Sequence, residues 1–171
     1  MKDVFDNIHK LSQEEKYRSM LDLLLTSSGA SVQSPYDTDI NHAWYLAGDA
    51  YFRLGDFQQA VSAFKKAKES WGEDRDSFLA LANSYSELGL PEKSEEVLRE
   101  GLKIWQGDEE FSYNLGNALF DRCLYRDAIA CYQSVVENPT LISMAENNIK
   151  AARRELKKAQ RNRIGKARDR Y

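Results

Sequence analysis

The chain has few of the residues from which catalytic, metal and disulfide sites are built. Its 171 residues include two cysteines and two histidines. Cys123 and Cys131 are eight positions apart and form no Cys-x-x-Cys pair, which argues against a zinc site, a redox pair or a disulfide framework. We expect both to be buried free thiols. His9 and His42 lie far apart in sequence, and no spacing brings either of them to a cysteine.

A phosphate-binding glycine loop is also missing from the sequence, because no Gly-x-x-x-x-Gly-Lys pattern occurs. The abundant carboxylates show no catalytic spacing and suit solvated helix surfaces. The sequence therefore predicts a protein that is not an enzyme and that holds no metal and no cofactor.

Long apolar runs are lacking as well. The longest apolar stretch, residues 21–25, is interrupted by Asp22, whereas a membrane-spanning helix needs about 20 apolar residues. Residues 1–6 carry acids where a secretory signal would have its apolar run. We therefore expect no membrane span and a cytoplasmic protein.

Charge is divided unevenly along the chain. The formal net charge is −3, but residues 150–171 contain ten Lys or Arg and two acids, a local charge of +8. Residues 1–149 contain fourteen bases and twenty-five acids, a local charge of −11. An acidic body with a basic C-terminal tail predicts different partners for the two parts.

What the chain does have is a 34-residue period. Small residues occupy one position of the period, at Gly48, Ala82 and Gly116. A fixed period of this length predicts stacked helix–turn–helix units. The other recurring pairs are Tyr51 and Tyr85, Gly55 and Gly89, and Trp71 and Trp105.

Three repeats are predicted at residues 41–74, 75–108 and 109–142, between an N-terminal helical segment with a loop at 1–40 and a capping helix with a basic tail at 143–171. Each repeat would carry one apolar stripe on its first helix and a second stripe on its second helix. In the first repeat the two stripes and the turn comprise Trp44, Ala47, Gly48, Tyr51, Gly55, Ala60, Phe64 and Ala67.

This pattern of large, small and aromatic positions resembles the tetratricopeptide repeat family. The resemblance implies an all-α fold, a right-handed superhelical array of helix–turn–helix repeats flanked by N-terminal helices and a C-terminal capping helix. Cys123 replaces the turn glycine of the third repeat, so we expect that turn to be tighter or shifted. We expect Trp71 and Trp105 to pack between repeats, with an exposed binding role as the alternative.

The N-terminal segment carries a helix signal of its own. Ser12 and Glu15 match a capping box, which predicts a helix from about residue 13 to residue 26. A shorter helix is expected before it, with Phe5 and Ile8 on one side. One of the polar residues at 37–39 is expected to cap the first repeat helix.

Beyond the third repeat, an apolar stripe predicts a capping helix over residues 141–160. The basic residues 161–171 have little apolar periodicity, and we expect them to fray. Simple solvation and contact with RNA, an acidic protein surface or anionic lipid are the alternatives for this tail.

The family resemblance also implies a concave groove lined by the first helices of the repeats. Asp49, Asn83 and Asn117 recur every 34 residues and would form a polar ladder that can hydrogen-bond a peptide backbone. The alternatives are that these residues are only solvated, and that Tyr113 and Phe120 pack inward on the capping helix. The implied peptide-binding residues are Tyr45, Asp49, Phe52, Asp76, Leu79, Asn83, Glu110, Tyr113, Asn114, Asn117 and Phe120.

Family members that hold chaperone C-termini grip carboxylates with Lys and Arg in the groove. The matching positions here carry no base, so acidic ligands are disfavoured. These positions are Tyr45, Asp49, Ala80, Glu110 and Asn114.

We therefore predict a non-enzymatic protein–protein interaction module, an adaptor or chaperone, that binds a neutral or basic peptide segment of another protein. Two alternatives remain open. One is a nucleic-acid or ribonucleoprotein-associated factor that uses the basic tail, and the other is a self-assembling scaffold whose tail docks in the groove.

Overall fold

The computed structural model describes the backbone of residues 4–168 and the side chains of residues 4–162. Over these residues the chain is all-α, as predicted, apart from one isolated bridge between Leu25 and Val32. None of the helices, as far as they are described, combines the length and apolar character needed to cross a membrane. The helices are α1 (Asp6–Gln13), α2 (Tyr17–Leu24), α3 (Ile40–Arg53), α4 (Phe57–Ser70), α5 (Arg75–Glu87), α6 (Pro91–Ile104), α7 (Glu109–Asp121), α8 (Tyr125–Gln133) and α9 (Pro139–Arg168), with a short 3₁₀ helix at Tyr36–Asp39.

The chain folds into two compact units, Met1–Leu90 and Pro91–Tyr171. In the first unit α2 packs on α3, α3 packs on α4, and α4 packs on α5. In the second unit α6 packs on α7, α7 on α8, and α8 on α9. Within each unit, consecutive helices are spatial neighbours, which is the arrangement that helix–turn–helix repeats require.

Paired helices approach each other closely where one of them has glycine. A Cβ atom on Gly48 of α3 would lie 2.6 Å from Cδ1 of Phe64 on α4. A Cβ atom on Gly116 of α7 would lie 2.5 Å from Cε1 of Tyr132 on α8. Real Cβ atoms do not come this close to a ring, so helix packing requires a small residue at this position of the period.

The turns inside the repeats share one backbone conformation. Gly55, Gly89 and Cys123 all have positive φ angles, of 77°, 68° and 61°. The backbone N–H of Cys123 donates to the carbonyl of Phe120 at 2.8 Å, as that of Gly55 donates to Phe52 at 3.0 Å. The expectation of a tighter or shifted third turn is therefore wrong, and Cys123 is exposed rather than buried because it sits in this surface turn.

Both predicted N-terminal helices are present, but the one predicted over residues 13–26 is shorter, at Tyr17–Leu24, and its predicted capping box is wrong. Ser12 belongs to the last turn of α1, and the chain reverses at Glu15, whose φ is 55°, before α2 begins. This reversal brings Ile8 and Met20, both fully buried, into one core. Burial of such side chains contributes about 1.5–3 kcal/mol each, more than the ~1 kcal/mol of a typical helix cap.

The C-terminal helix is longer than predicted at both ends. α9 begins at Pro139, where the side chain of Asn138 accepts two backbone N–H bonds from the first turn. It includes the expected span of 141–160 and continues through 161–168, where fraying was expected. The rest of the tail, residues 169–171, lies outside the described residues.

The Glu109 carboxylate holds the turn that leads into α9. It accepts hydrogen bonds from the backbone N–H groups of Val136, Glu137 and Asn138, at 2.6 Å and 2.9 Å for the last two. These hydrogen bonds favour the charged carboxylate and hold the pKa of Glu109 below its usual range. The turn between α8 and α9 is thus anchored to the start of α7.

The two repeat tryptophans differ in their surroundings. Trp105 stacks on Phe111 of the next repeat, with ring centroids 5.4 Å apart and an 18° angle between the planes, so its predicted packing is confirmed. Trp71 is 56% exposed, and for this residue the prediction is wrong. The chain leaves α4 in an extended conformation at Trp71, which keeps the ring in solvent.

Replacing Gly48 with alanine should destabilise the protein. Overpacking against Phe64 costs about 1–3 kcal/mol, and alanine gains ~1 kcal/mol over glycine in a helix. We therefore expect urea denaturation to show a free energy of unfolding lower than in the wild type by up to about 2 kcal/mol. Gly72→Ala is the control, because nothing lies within 4 Å of its added Cβ. Equal stabilities of the two variants would contradict the close-approach account.

Candidate functional site

In the first unit, the predicted peptide-binding residues lie on α3 and α5. The starts of these helices are set by capping aspartates: Asp39 accepts the backbone N–H of His42 at 3.0 Å, and Asp74 accepts that of Ser77 at 3.3 Å. Asp39 is thus the cap expected within 37–39. Because α4 packs on both helices and α3 also contacts α5, equivalent positions of the first two repeats lie side by side.

Tyr45 is the centre of this face. Its ring is half-buried and lies 5.6 Å from the ring of Phe64. Burial raises the pKa of the Tyr45 hydroxyl, and the carboxylates of Asp76 and Asp49 raise it further. The structure therefore brings an aromatic anchor and acids of both helices together, although they are up to 31 positions apart in sequence.

The other predicted residues of the first unit differ in exposure. Asp49 pairs with Arg53, whose Nε lies 3.4 Å from Oδ1 of Asp49, so this base is already partnered. Asn83 is exposed and Phe52 is half-buried. Leu79 is 6% exposed, so it supports the face from within the core.

The two histidines of the chain meet at the start of this face. The His9 ring of α1 lies 5.7 Å from the His42 ring of α3, and Phe5 packs edge-on against His42 at 4.7 Å. Sequence spacing did not indicate this contact, which results from the reversal between α1 and α2. Among the residues that the structure describes, no group of three or more His, Cys, Asp or Glu could hold a metal ion.

In the second unit, a polar network joins α7, α8 and α9. The hydroxyl of Tyr132 donates to Oδ1 of Asn117 at 2.9 Å. The side-chain amide of Asn148 donates to the same oxygen and to the hydroxyl of Tyr113, both at 3.1 Å. Tyr113 is 9% exposed and packs inward toward α9, which was one of the two alternatives for this residue.

A cavity of about 280 Å³ lies beside this network. Sequence reasoning did not include Tyr132 or Asn148 among the site residues. Asn148 stands three residues after Ala145 and four before Ala152, both of which are buried, and this helical spacing is the signal that could have identified it. The cavity is lined by Asn117, Phe120, Asp121, Tyr132, Asn148 and Ala151.

Electrostatics at this cavity favour a cation. Asp121 is exposed at the rim of the cavity, and partial desolvation raises the pKa of its carboxyl. Burial also raises the pKa of the Tyr132 hydroxyl, which stays protonated as a donor. The remaining predicted residues of this unit are Glu110, which is exposed, and Asn114 and Phe120, which are half-buried.

A second charged surface lies on α9. Its cations recur at spacings of three and four residues, which places them on one exposed face of the helix. Glu155 pairs with Lys158 at 2.8 Å and with Arg154 at 3.7 Å. We name this surface the basic face, and it comprises Lys150, Arg153, Arg154, Lys157, Lys158 and Arg161.

Comparison with known sequences gives matches over most of the repeat region. Two tetratricopeptide repeat models match residues 42–70 and 79–140. The TPR repeat-containing protein YpiA of Bacillus subtilis (strain 168) is 31% identical over 98 residues. That match covers 57% of this chain and 22% of YpiA, so the chain spans about a fifth of that relative.

Solved structures with the same fold include domains that bind peptides. The peptide-binding TPR protein YrrB superposes with a TM-score of 0.66 at 21% identity, over 85% of this chain and 72% of that one. The first TPR domain of Spaghetti (RPAP3), bound to the HSP90 peptide SRMEEVD, superposes with a TM-score of 0.63 at 18% identity. That match covers 68% of this chain and 93% of the RPAP3 domain. At these identities the likeness concerns the fold alone.

Proposed function

The chain belongs to the tetratricopeptide repeat family, and on that premise we propose that it is a non-enzymatic adaptor or chaperone, located in the cytoplasm, that binds a neutral or basic peptide segment of another protein. The observation that carries the proposal is the surrounding of Tyr45. A half-buried aromatic ring flanked by Asp49 and Asp76 offers apolar contact area and negative potential to an extended peptide.

The relatives support a peptide as the ligand, and the charges on this chain support a neutral or basic peptide. RPAP3 holds the acidic HSP90 peptide, and YrrB has a peptide-binding site. In this chain the positions that would grip carboxylates have no base, and Arg53 is paired with Asp49. An acidic peptide would therefore meet like charge, whereas a basic or neutral peptide would not.

Asn83 offers the sharpest test of the first-unit face, because it is exposed on α5 and takes no part in the core. Random twelve-residue peptides displayed on phage would be selected against the wild-type chain, and their affinities for Asn83→Ala measured by fluorescence polarisation. Loss of one or two hydrogen bonds to the peptide backbone predicts affinity about three- to tenfold weaker.

Ser62→Ala is the matched control for Asn83→Ala, because Ser62 is exposed on α4, a second helix of its repeat. It should bind the selected peptides as the wild type does. Failure to select any peptide, or selected peptides that bind Asn83→Ala unchanged, would contradict the proposal for this face.

A second candidate function is binding of single-stranded nucleic acid by the basic face. The geometry of α9 supports it. Cations at three- and four-residue spacing can each contact a phosphate. The opposite side of α9, which contains Ala145 and Ala152, is buried against the rest of the unit. The face contains no apolar side chain of the kind that dominates protein interfaces. Self-association through the same segment stays a hypothesis.

Replacing Lys150, Arg153 and Lys157 together with glutamine tests this second function. A fluorescein-labelled single-stranded RNA should bind the wild type at low salt. Since each phosphate contact adds about 0.7 to the slope of log affinity against log salt, the triple variant should lose about 2 units of slope.

The control removes three exposed cations elsewhere, Arg18, Lys103 and Arg126, and so has the same net charge. If it weakens RNA binding as much as the basic-face variant does, or if the wild type binds no RNA at low salt, the second function is excluded.

A further inference from the structure

We infer that the cavity between α7, α8 and α9 is a specificity pocket that takes one arginine side chain of the bound peptide. The inference rests on the proposed function, and it names the type of peptide residue that the second unit would bind. At about 280 Å³ the cavity falls just below the ~300 Å³ at which pockets for drug-sized ligands begin. It therefore has room for a single long side chain and not for a larger molecule.

Asp121 is placed where a carboxylate is locally unfavourable. It is the last residue of α7, and the last turn of that helix contains no base. The partial negative charge at a helix C-terminus repels an acid there. Among residues 4–162, no side chain forms an ion pair with Asp121. A bound cation would relieve this repulsion, and partial desolvation raises the pKa of the Asp121 carboxyl, although the residue is exposed at the rim of the pocket.

The polar atoms that the network leaves available to a ligand are hydrogen-bond acceptors. Asn148 uses both amide hydrogens, one on Tyr113 and one on Asn117, so its side chain offers a ligand only its carbonyl oxygen. Tyr132 gives its hydrogen to Asn117, which leaves oxygen lone pairs. A guanidinium group is a planar set of N–H donors with no acceptor, and it suits a pocket of carboxylate and carbonyl oxygens.

Phe120 makes arginine a better fit than lysine. Its ring lines the pocket and is held edge-on by Tyr125 at a centroid distance of 5.3 Å. A guanidinium plane can stack on an aromatic face while its edge donates to a carboxylate, whereas an ammonium group is more strongly hydrated and does not stack. The pocket thus pairs one aromatic wall with one acidic rim.

The equivalent positions of the other two repeats carry opposite charges, since Glu87 ends the first helix of the second repeat and a base ends that of the first. Arg53 occupies the position of Asp121, 68 residues earlier, and also ends its helix. There the base suits the helix terminus and pairs with Asp49. An arginine-selective pocket is therefore not expected at the corresponding place in the first repeat.

The test titrates the full ¹⁵N-labelled chain with the blocked tripeptide Ac-Gly-Arg-Gly-NH₂ and follows amide chemical shifts. We expect saturable shifts at Phe120, Asp121 and Asn148. The same tripeptide with citrulline, which has arginine's shape without its charge, should bind about tenfold more weakly because a charge-assisted hydrogen bond is lost. The lysine tripeptide should fall between the two.

Asp121→Asn should lose the preference for arginine over citrulline while becoming more resistant to urea, since it removes an acid from a helix C-terminus. Asp121→Glu should restore the preference. Asp127→Asn, an exposed acid of α8, is the control that keeps it. Equal binding of the arginine and citrulline tripeptides to the wild type, or an arginine preference that survives in Asp121→Asn, would overturn the inference.

The phage-selected peptides distinguish a failure of the arginine pocket from a failure of the proposed function. If they bind the wild type and Asp121→Asn equally, the chain is a peptide-binding module without an arginine pocket. If no peptide is selected but the arginine tripeptide binds and requires Asp121, the pocket stands and the proposed peptide function is wrong.

Discussion

The approach of paired helices at glycine is the constraint on which the rest of the structure depends. At Gly48, Gly101 and Gly116, an aromatic ring of the neighbouring helix lies where a side chain would begin. Each such ring buries on the order of 150–250 Å² and is a main contributor to the core of its unit. Because this packing occupies one side of α3 and α7, it decides which residues of those helices remain for a ligand, among them Tyr45 and Phe120.

The sequence predicts well those features that recur with the period, because the same contacts recur with it. Gly48 and the turn at Gly55 are of this kind, and even Cys123 adopts the conformation that its position demands. The features that sequence reasoning missed depend on contacts between distant segments. Burial of Ile8 with Met20 overrides a local capping signal, and the hydrogen bonds of Asn148 to Tyr113 and Asn117 form only because α9 packs on α7.

Acidic and basic residues lie on different helices of this chain, as well as in different parts of its sequence. The carboxylates of Asp49, Asp76 and Asp121 lie on the first helices of the repeats, beside half-buried aromatic rings. The cations gather on one exposed face of α9, away from its buried alanines. Aromatic rings contribute affinity and the acids around them contribute selectivity, so these surfaces should reject acidic segments and accept basic ones.

The most direct test of that claim is isothermal titration calorimetry of the full chain with two peptides of equal length. One is the HSP90 peptide SRMEEVD, which the RPAP3 domain holds, and the other is its analogue with all three acids replaced by lysine. We expect the lysine analogue to bind with an affinity that weakens as salt is added, and SRMEEVD, which keeps its arginine but carries three acids, to bind more weakly. Tighter binding of SRMEEVD than of its lysine analogue would contradict the account.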